Sequence, residues 1–571
     1  MPPPSDGRQG GEAELKFRPT YPYVGPNFSS GTGGVLLAIG LYLGLVGILL
    51  WLSLSRTGGT FVYAQDDPYI HLALARTLAD YGVWGILPAE FASASSSPLW
   101  TLLLAALWKL GAHAVWLPFA LNVLFGVVFL SVCGSCVART FRSASADIGG
   151  PEGPRYVLLT LCALVLITPL PTLAFIGMEH TLQVLLVVVF SWQAAGRLAG
   201  ERSDWLPPSV VAALMVATRY ESLFLVAIVG AILLWQGRIR PAVCLGIAVL
   251  IPAGGYALYS TAHGGLVLPN SVLMKSGPGR FSTIGAGLSA VATDWIAIGS
   301  LFVRPSQLVL TLGVLVGLAL TPVARLTSAS RAAWLAVLFL GTSLLHACLV
   351  KVEWFFRYEA YLMALGLLAL AGVAGLLEWP AGVMRARTAR WHPATAPLLV
   401  LLALPLGIRG LTALATTVPA VESIHAQQVQ MGQFFQRFYA GRPVAVNDIG
   451  AVAWYSTSPI LDIVGLASQP VADLKRRNAL DVVAVETLAE EHAVAAVAVY
   501  ETPFAGILPT SWIKVGEWSR GSNTGVSERT VAFFARTDGD AERLRHALDA
   551  FAAMLPPGVA WTATSTRVHA P

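Results

Sequence analysis

Apolar runs of about 15–24 residues recur through the first 420 positions. They begin near residues 34, 115, 156, 179, 206, 221, 240, 306, 330, 356 and 396. Each approaches the length a helix needs to cross a hydrocarbon core of about 30 Å. A shorter run, Pro98–Leu110, is ambiguous by length, and the arginines decide its reading. With a cytoplasmic N-terminus and 98–110 lying against the membrane face, there are eleven spans. The clusters Arg139/Arg142/Arg155, Arg197/Arg202, Arg238/Arg240, Arg325/Arg331 and Arg385/Arg387/Arg390 then all fall on the cytoplasmic side, as the positive-inside rule requires. Counting 98–110 as a span inverts every later loop and puts those clusters outside.

Beyond residue 420 the pattern becomes that of a water-soluble domain. Val421–Tyr439 has the periodicity of an amphipathic helix, and "PVAVNDIGAVAWYS" predicts a strand, a turn and a helix. "AVAAVAVY" and "RTVAFFAR" predict buried strands, and "DGDAERLRHALDAFAAML" a helix with Asp as its N-cap. The expected organisation is a disordered cytoplasmic tail (1–33, with Arg8, Lys16 and Arg18), a transmembrane domain (34–419) and an extracytoplasmic α/β domain (420–571). A leading tail this long argues against a cleaved signal peptide.

Composition agrees with this division. Of 571 residues, 55% are hydrophobic and 12% charged, and the mean hydropathy is +0.65, against about 25% charged in a typical soluble protein. This is the profile of a multi-pass membrane protein. The net charge of +5 says little about partners, because in such a chain the placement of basic residues matters more than their sum. The five cysteines lie inside apolar runs, and the lone Cys133-x-x-Cys136 pair reads as packing rather than as a redox or metal motif. No Walker sequence, nucleotide-binding glycine motif or internal repeat is present, so nucleotide chemistry is not expected and nucleic acid is not an expected partner.

The eleven-span topology leaves five polar clusters on the outer side: "AQDDPYIH", "FIGMEHTL", "ATRYESLF", "LPNSVLMKSG" and "VEWFFRYEAY". Ionisable groups near membrane depth are costly, which makes a shared outer vestibule a functional expectation. Asp66 and Asp67 stand out. One aspartate before "PYIH" is explained as an N-cap with Pro68 in the first turn; two are not. The functional reading makes Asp66 a general base and Asp67 a positioning or metal-binding carboxylate, with a divalent cation as the implied cofactor. Glu179 reads as interfacial or functional, and His180 more readily as satisfying a local hydrogen bond than as a metal ligand. Arg219 with Glu221 reads as an ion pair or as part of the site. Asn270 and Lys275 fit an outer loop equally well, and Arg357 a snorkelling side chain.

Taken in order, these motifs resemble the GT-C glycosyltransferases. Among them, the chain is similar to the terminal arabinofuranosyltransferases of mycobacterial cell walls and their bacterial relatives. Those proteins typically read DDAYIS-x-RYA-x-NL, TNPLW, GMET, TRPEG, PNS with a lysine, and RF or RY. The matching positions are Asp66–Asp67, Ser97–Trp100, Gly177–Glu179, Thr218–Glu221, Pro269–Lys275 and Arg357–Tyr358, and "VNDIGAVAWYSTSPILDIVGL" resembles their C-terminal domain. His71 stands where the family often has Ser or Phe, His180 follows Glu179 directly, and Tyr220 replaces the usual proline.

The resemblance implies an all-α polytopic GT-C domain followed by a soluble α/β domain. It implies transfer of a sugar, with arabinofuranose favoured, from a polyprenyl-phosphate carrier to a glycan, lipid or protein acceptor at the outer face of the cytoplasmic membrane. Asp66 and Asp67 are then catalytic, and Arg219, Lys275, Arg357 and Tyr358 hold the donor. His71, Arg76, Glu179, His180, Glu221 and Asn270 line the pocket. The rival class is a transporter or flippase of lipid-linked sugars. That class predicts ionisable groups near the bilayer midplane and two repeated halves, neither of which is legible in this chain.

Overall fold

The computed structural model describes residues 29–88, 90–144, 153–275, 305–323, 326, 330–350, 355–376 and 395–567. All eleven expected spans coincide with helices. These are α1 (Ser29–Arg56), α4 (Leu117–Ala144), α5 (Gly153–Ile167) continued by α6 (Leu170–Ile176), α7 (His180–Leu198), α8 (Leu206–Thr218), α9 (Leu223–Trp235) and α10 (Ile239–Ala262). They continue with α12 (Pro305–Leu320), α13 (Arg331–Leu349), α14 (Ala360–Leu376) and α15 (Thr395–Ile424). Between them lie α2 (Asp67–Tyr81), α3 (Pro98–Lys109) and the short α11 (Asn270–Lys275).

Among the described residues, six helices are long and apolar enough to cross a membrane: 32–56, 117–139, 156–176, 180–198, 239–262 and 403–438. Several others are shorter. The 12 residues of α3 rise only about 18 Å, too little for a full crossing. Its sequence explains its start: the Ser97 hydroxyl accepts from the Trp100 N–H at 3.3 Å, and Pro98 occupies the first turn, where its missing donor costs nothing. Cys133 and Cys136 are buried free thiols, as packing residues should be.

The junction expected at 419/420 is not a break. After α15 the helix continues through a π turn (His425–Val429) into α16 (Gln430–Phe438). The α/β part then runs β1 (Val444–Val446), α17 (Gly450–Tyr455), β2 (Ile460–Asp462), α18 (Gln469–Arg476), α19 (Val482–Glu491), β3 (Ala496–Val499) and a one-turn α20 (Glu501–Phe504). It closes with β4 (Ile513–Arg520), β5 (Thr530–Ala535), α21 (Asp538–Ala552) and β6 (Val559–Arg567). The sheet order is β2-β1-β3-β5-β4-β6; β1 pairs in parallel with β2 and β3, and the remaining pairs are antiparallel. The N-cap of α21 is Thr537 rather than the expected aspartate, its side chain accepting from the Asp540 N–H. One apolar core includes Val62, Tyr63, Tyr69 and Leu72 from around α2 together with Phe434, Val446, Trp518 and Phe551. The C-terminal α/β part is therefore packed onto the segment around α2 rather than tethered to it.

Candidate functional site

Asp66 and Asp67 are adjacent in sequence and part in space. Asp66 occupies the N-cap position of α2 but makes no side-chain cap there. Its carboxylate reaches the α/β domain instead. One oxygen accepts from the Gly450 N–H at 2.6 Å and the other from the Ala451 N–H at 2.8 Å, which caps α17. At the far end of that short helix, Arg76 donates to the Ala453 and Trp454 carbonyls at 2.8 and 3.1 Å and stacks on the Trp454 ring. Arg76, expected in the substrate pocket, thus joins α2 to α17. Gly450 has to be glycine: a Cβ there would lie 2.2 Å from the Asp66 carbonyl oxygen. Burial, and next the Asp448 carboxylate, pushes the Asp66 carboxyl well above its usual range, against the pull of the Ala451 and Gly450 N–H groups. Asp448 is itself raised, mainly by burial, while hydrogen bonds from Gln428 and Tyr500 hold it back.

Asp67 turns the other way. Its Oδ2 lies 2.6 Å from Nη2 of Arg357, a guanidinium only 1% exposed. Arg357 also donates to the Tyr358 hydroxyl at 3.3 Å and to the Met178 sulfur at 2.7 Å, while its buried Nε has no partner among the described residues. A thioether is a weak acceptor, so part of this arginine's donor capacity is unspent. The backbone before it is held unusually. Phe355 and Phe356 both have positive φ (55° and 63°), a conformation that costs bulky residues on the order of 1–2 kcal/mol each. Arg409, from the middle of α15, fastens that turn. It donates to Glu359 at 2.6 Å and to the Phe356 carbonyl at 2.9 Å, with the Phe356 ring beneath it.

Around the Tyr358 ring the second arginine closes the network. The Arg219 and Arg357 guanidinium carbons lie 5.5 and 5.1 Å from the ring centre. Arg219 binds Glu221 through two parallel bonds (2.6 and 3.1 Å) and Glu179 at 2.7 Å, so all three of its nitrogens are engaged. Fully buried Glu179 also accepts from the Ser96 hydroxyl at 3.3 Å and has His71 Nε2 at 3.7 Å. His71 Nδ1 in turn meets the Thr101 and Ser95 hydroxyls at 3.2 and 3.4 Å. His180 is 1% exposed and its ring lies 6.2 Å from that of Tyr358. The local turn that aims this segment comes from Gly177, which ends α6 with φ +67° and where a Cβ would lie 2.3 Å from the Tyr63 ring.

Eight of the expected residues therefore form one network: Asp67, His71, Glu179, His180, Arg219, Glu221, Arg357 and Tyr358. Asn270 is buried beside it, its N–H bonded to the Ser93 carbonyl at 3.0 Å and its amide to Gln469 of α18 at 3.2 Å. Lys275 ends α11, and its side chain lies outside what the structure describes. Three contributors were not anticipated. Arg409 had a signal, a lone cation in an apolar run. Asp448 and Met178 lie inside the resembling segments "VNDIG" and "GMEH", but their contacts are long-range and no local pattern encodes them. Among the described residues no group of three His, Cys, Asp or Glu side chains could hold a metal ion, and Asp67 is committed to Arg357. The residues present do not fit a divalent cation.

A family described as a domain of unknown function (DUF8728) matches residues 421–534, from the end of α15 through β5. No curated protein matches the chain. Among solved structures, similar ones include ArnT from Cupriavidus metallidurans bound to undecaprenyl phosphate, with 11% identity, 89% of this chain and 99% of that one covered, and a TM-score of 0.46. Another is the oligosaccharyltransferase AglB from Archaeoglobus fulgidus in complex with an inhibitory peptide and a dolichol-phosphate, with 11% identity, coverage of 88% and 74%, and a TM-score of 0.42.

Proposed function

We propose that this chain is a GT-C membrane glycosyltransferase that moves a sugar from a polyprenyl-phosphate donor to an acceptor hydroxyl. Arabinofuranose is the favoured sugar, and an envelope glycan, lipid or protein is the acceptor. The protein would sit in the cytoplasmic membrane with eleven spans and its α/β domain outside. The observation that carries this reading is the joining of Asp67, Glu179, Arg219 and Arg357, four motifs remote in sequence, into one buried charged network at the ends of apolar helices. Burying so many charges is expensive, and hydrophobic replacements are often as stable or more so, which favours a chemical reason for keeping them.

In this reading Arg357 holds the donor phosphate. A phosphodiester that leaves as a monoester gains negative charge, and a preorganised guanidinium in a poorly screened site stabilises that gain. Arg357 suits the task better than Arg219, whose donors are taken by two carboxylates. Arrival of the phosphate would exchange the Asp67–Arg357 pair for a phosphate–Arg357 pair and release Asp67. Asp67 then takes the proton of the acceptor hydroxyl as its oxygen bonds to the anomeric carbon and the bond from that carbon to the phosphate oxygen breaks. This gives Asp67 the role of base and makes Asp66, with both oxygens capping α17, a positioning residue; the sequence suggested the reverse. The test is incubation of purified protein with a panel of polyprenyl-phosphate sugars and envelope glycans, followed by mass spectrometry. Sugar-extended acceptor together with free polyprenyl phosphate is expected. Donors that bind without transfer to any acceptor would favour the carrier reading instead.

A further inference from the structure

Away from this network, a polar cavity of about 400 Å³ opens where the end of α1 meets the α/β domain. Arg56, Glu422, His425, Arg520, Ser522 and Gly558 line it. Arg56 is the last residue of an apolar helix long enough to span, which sets the cavity at a membrane–water boundary. Arg520 ends β4 and is largely buried. The carboxylate in the cavity does not satisfy these cations. Glu422 lies 3.6 Å from Arg56 Nε and 4.0 Å from Arg520 Nη2, beyond good hydrogen-bond distance. Burial leaves the Arg520 guanidinium less basic than usual in spite of Glu422, so its charge is under-compensated. His425 opens the π turn inserted into the 403–438 helix, a helical irregularity that recurs at functional sites. The cavity thus holds two guanidinium groups against one carboxylate, with room for a tetrahedral group.

We propose that this cavity binds a phosphate ester, gripped by Arg520 and Arg56, as a second site distinct from the Arg357 network. Guanidinium groups match phosphate through paired N–H donors, and the Arg520 guanidinium meets Glu422 only at 4.0 Å. The same chemistry is carried by a phospholipid headgroup at the membrane surface and by a soluble phosphoester. The location at the end of α1 favours the headgroup.

Native mass spectrometry of the full chain in detergent separates the possibilities, with phosphatidylglycerol, diacylglycerol and glycerol 3-phosphate as probes. Phosphatidylglycerol should bind in preference to diacylglycerol, and Arg520→Gln should weaken it by about fivefold or more. Glu422→Gln removes the competing carboxylate and should tighten binding, a gain that misfolding cannot imitate. Glycerol 3-phosphate binding as tightly as the lipid would assign the same site to a soluble ligand. Equal binding of phosphatidylglycerol and diacylglycerol with no glycerol 3-phosphate bound, or no change in either variant, would overturn the proposal.

Discussion

Asp66 and Gly450 stand 384 positions apart in sequence, yet the Gly450 N–H lies 2.6 Å from the Asp66 carboxylate. With the neighbouring bond to Ala451, an aspartate in the first loop caps a helix of the last domain. Arg76 holds the other end of that helix. The α/β domain is thereby fixed to the segment that carries Asp67.

Loss of this cap should loosen the junction. Asp66→Asn replaces one acceptor oxygen by a donor facing an N–H, and a hydrogen bond of this kind is worth about 0.5–1.5 kcal/mol. Gly450→Ala should do the same by steric conflict. Both variants should melt at lower temperature and be cleaved faster by protease near residue 440. Wild-type melting and cleavage would show that the cap is dispensable.

The junction should also depend on pH. Asp66 and Asp448 have folded-state values raised above the ordinary carboxylate value of about 3.9. A carboxyl raised by folding favours the folded state while protonated. Its contribution is complete below the unfolded value and is lost as pH rises through the folded one. Thermal stability should therefore decline as pH rises from about 4 into the raised range, and less steeply in Asp448→Asn, which removes the repulsion on Asp66. Identical pH profiles for the two proteins would remove Asp448 from the account.

Much of this is legible in the sequence. The polar clusters were visible because charges interrupt apolar runs, and the "SSPLW", "GMEH", "TRYE" and "RY" segments supplied residues that meet in space. The division of labour between the two aspartates was not legible. It depends on Asp66 finding helix N–H groups hundreds of residues away, and no local periodicity encodes that. The contacts of Arg76 are illegible for the same reason, since its partners are backbone carbonyls of Ala453 and Trp454. The 419/420 boundary was drawn where composition changes, but an uninterrupted helix carries the chain across it.

Arg409 should be structural. Truncation to Ala strands Glu359 as a buried unpaired carboxylate, a loss of about 3–5 kcal/mol, and frees the strained turn at Phe355–Phe356. The double variant Arg409→Met/Glu359→Gln should recover much of the stability. Melting temperatures of the single and double variants check this; equal losses in both would contradict it.

Arg357 separates two roles. As a donor clamp, Arg357→Lys should weaken binding of polyprenyl phosphate although the charge is kept, because an ammonium cannot form the paired bonds. Arg357→Ala should weaken it further. Were Arg357 only the partner of Asp67, both variants would lose stability and retain lipid affinity, so melting and binding have to be measured together.

The most direct test of the central claim is turnover of Asp67→Asn beside the wild type, at saturating polyprenyl-phosphate sugar and with melting recorded for both. Loss of a general base costs about 100- to 10,000-fold. The asparagine cannot take the proton but no longer competes as an anion for Arg357, so donor affinity should be kept or improved while transfer falls by that factor. Near-normal transfer by a folded Asp67→Asn protein would contradict the account.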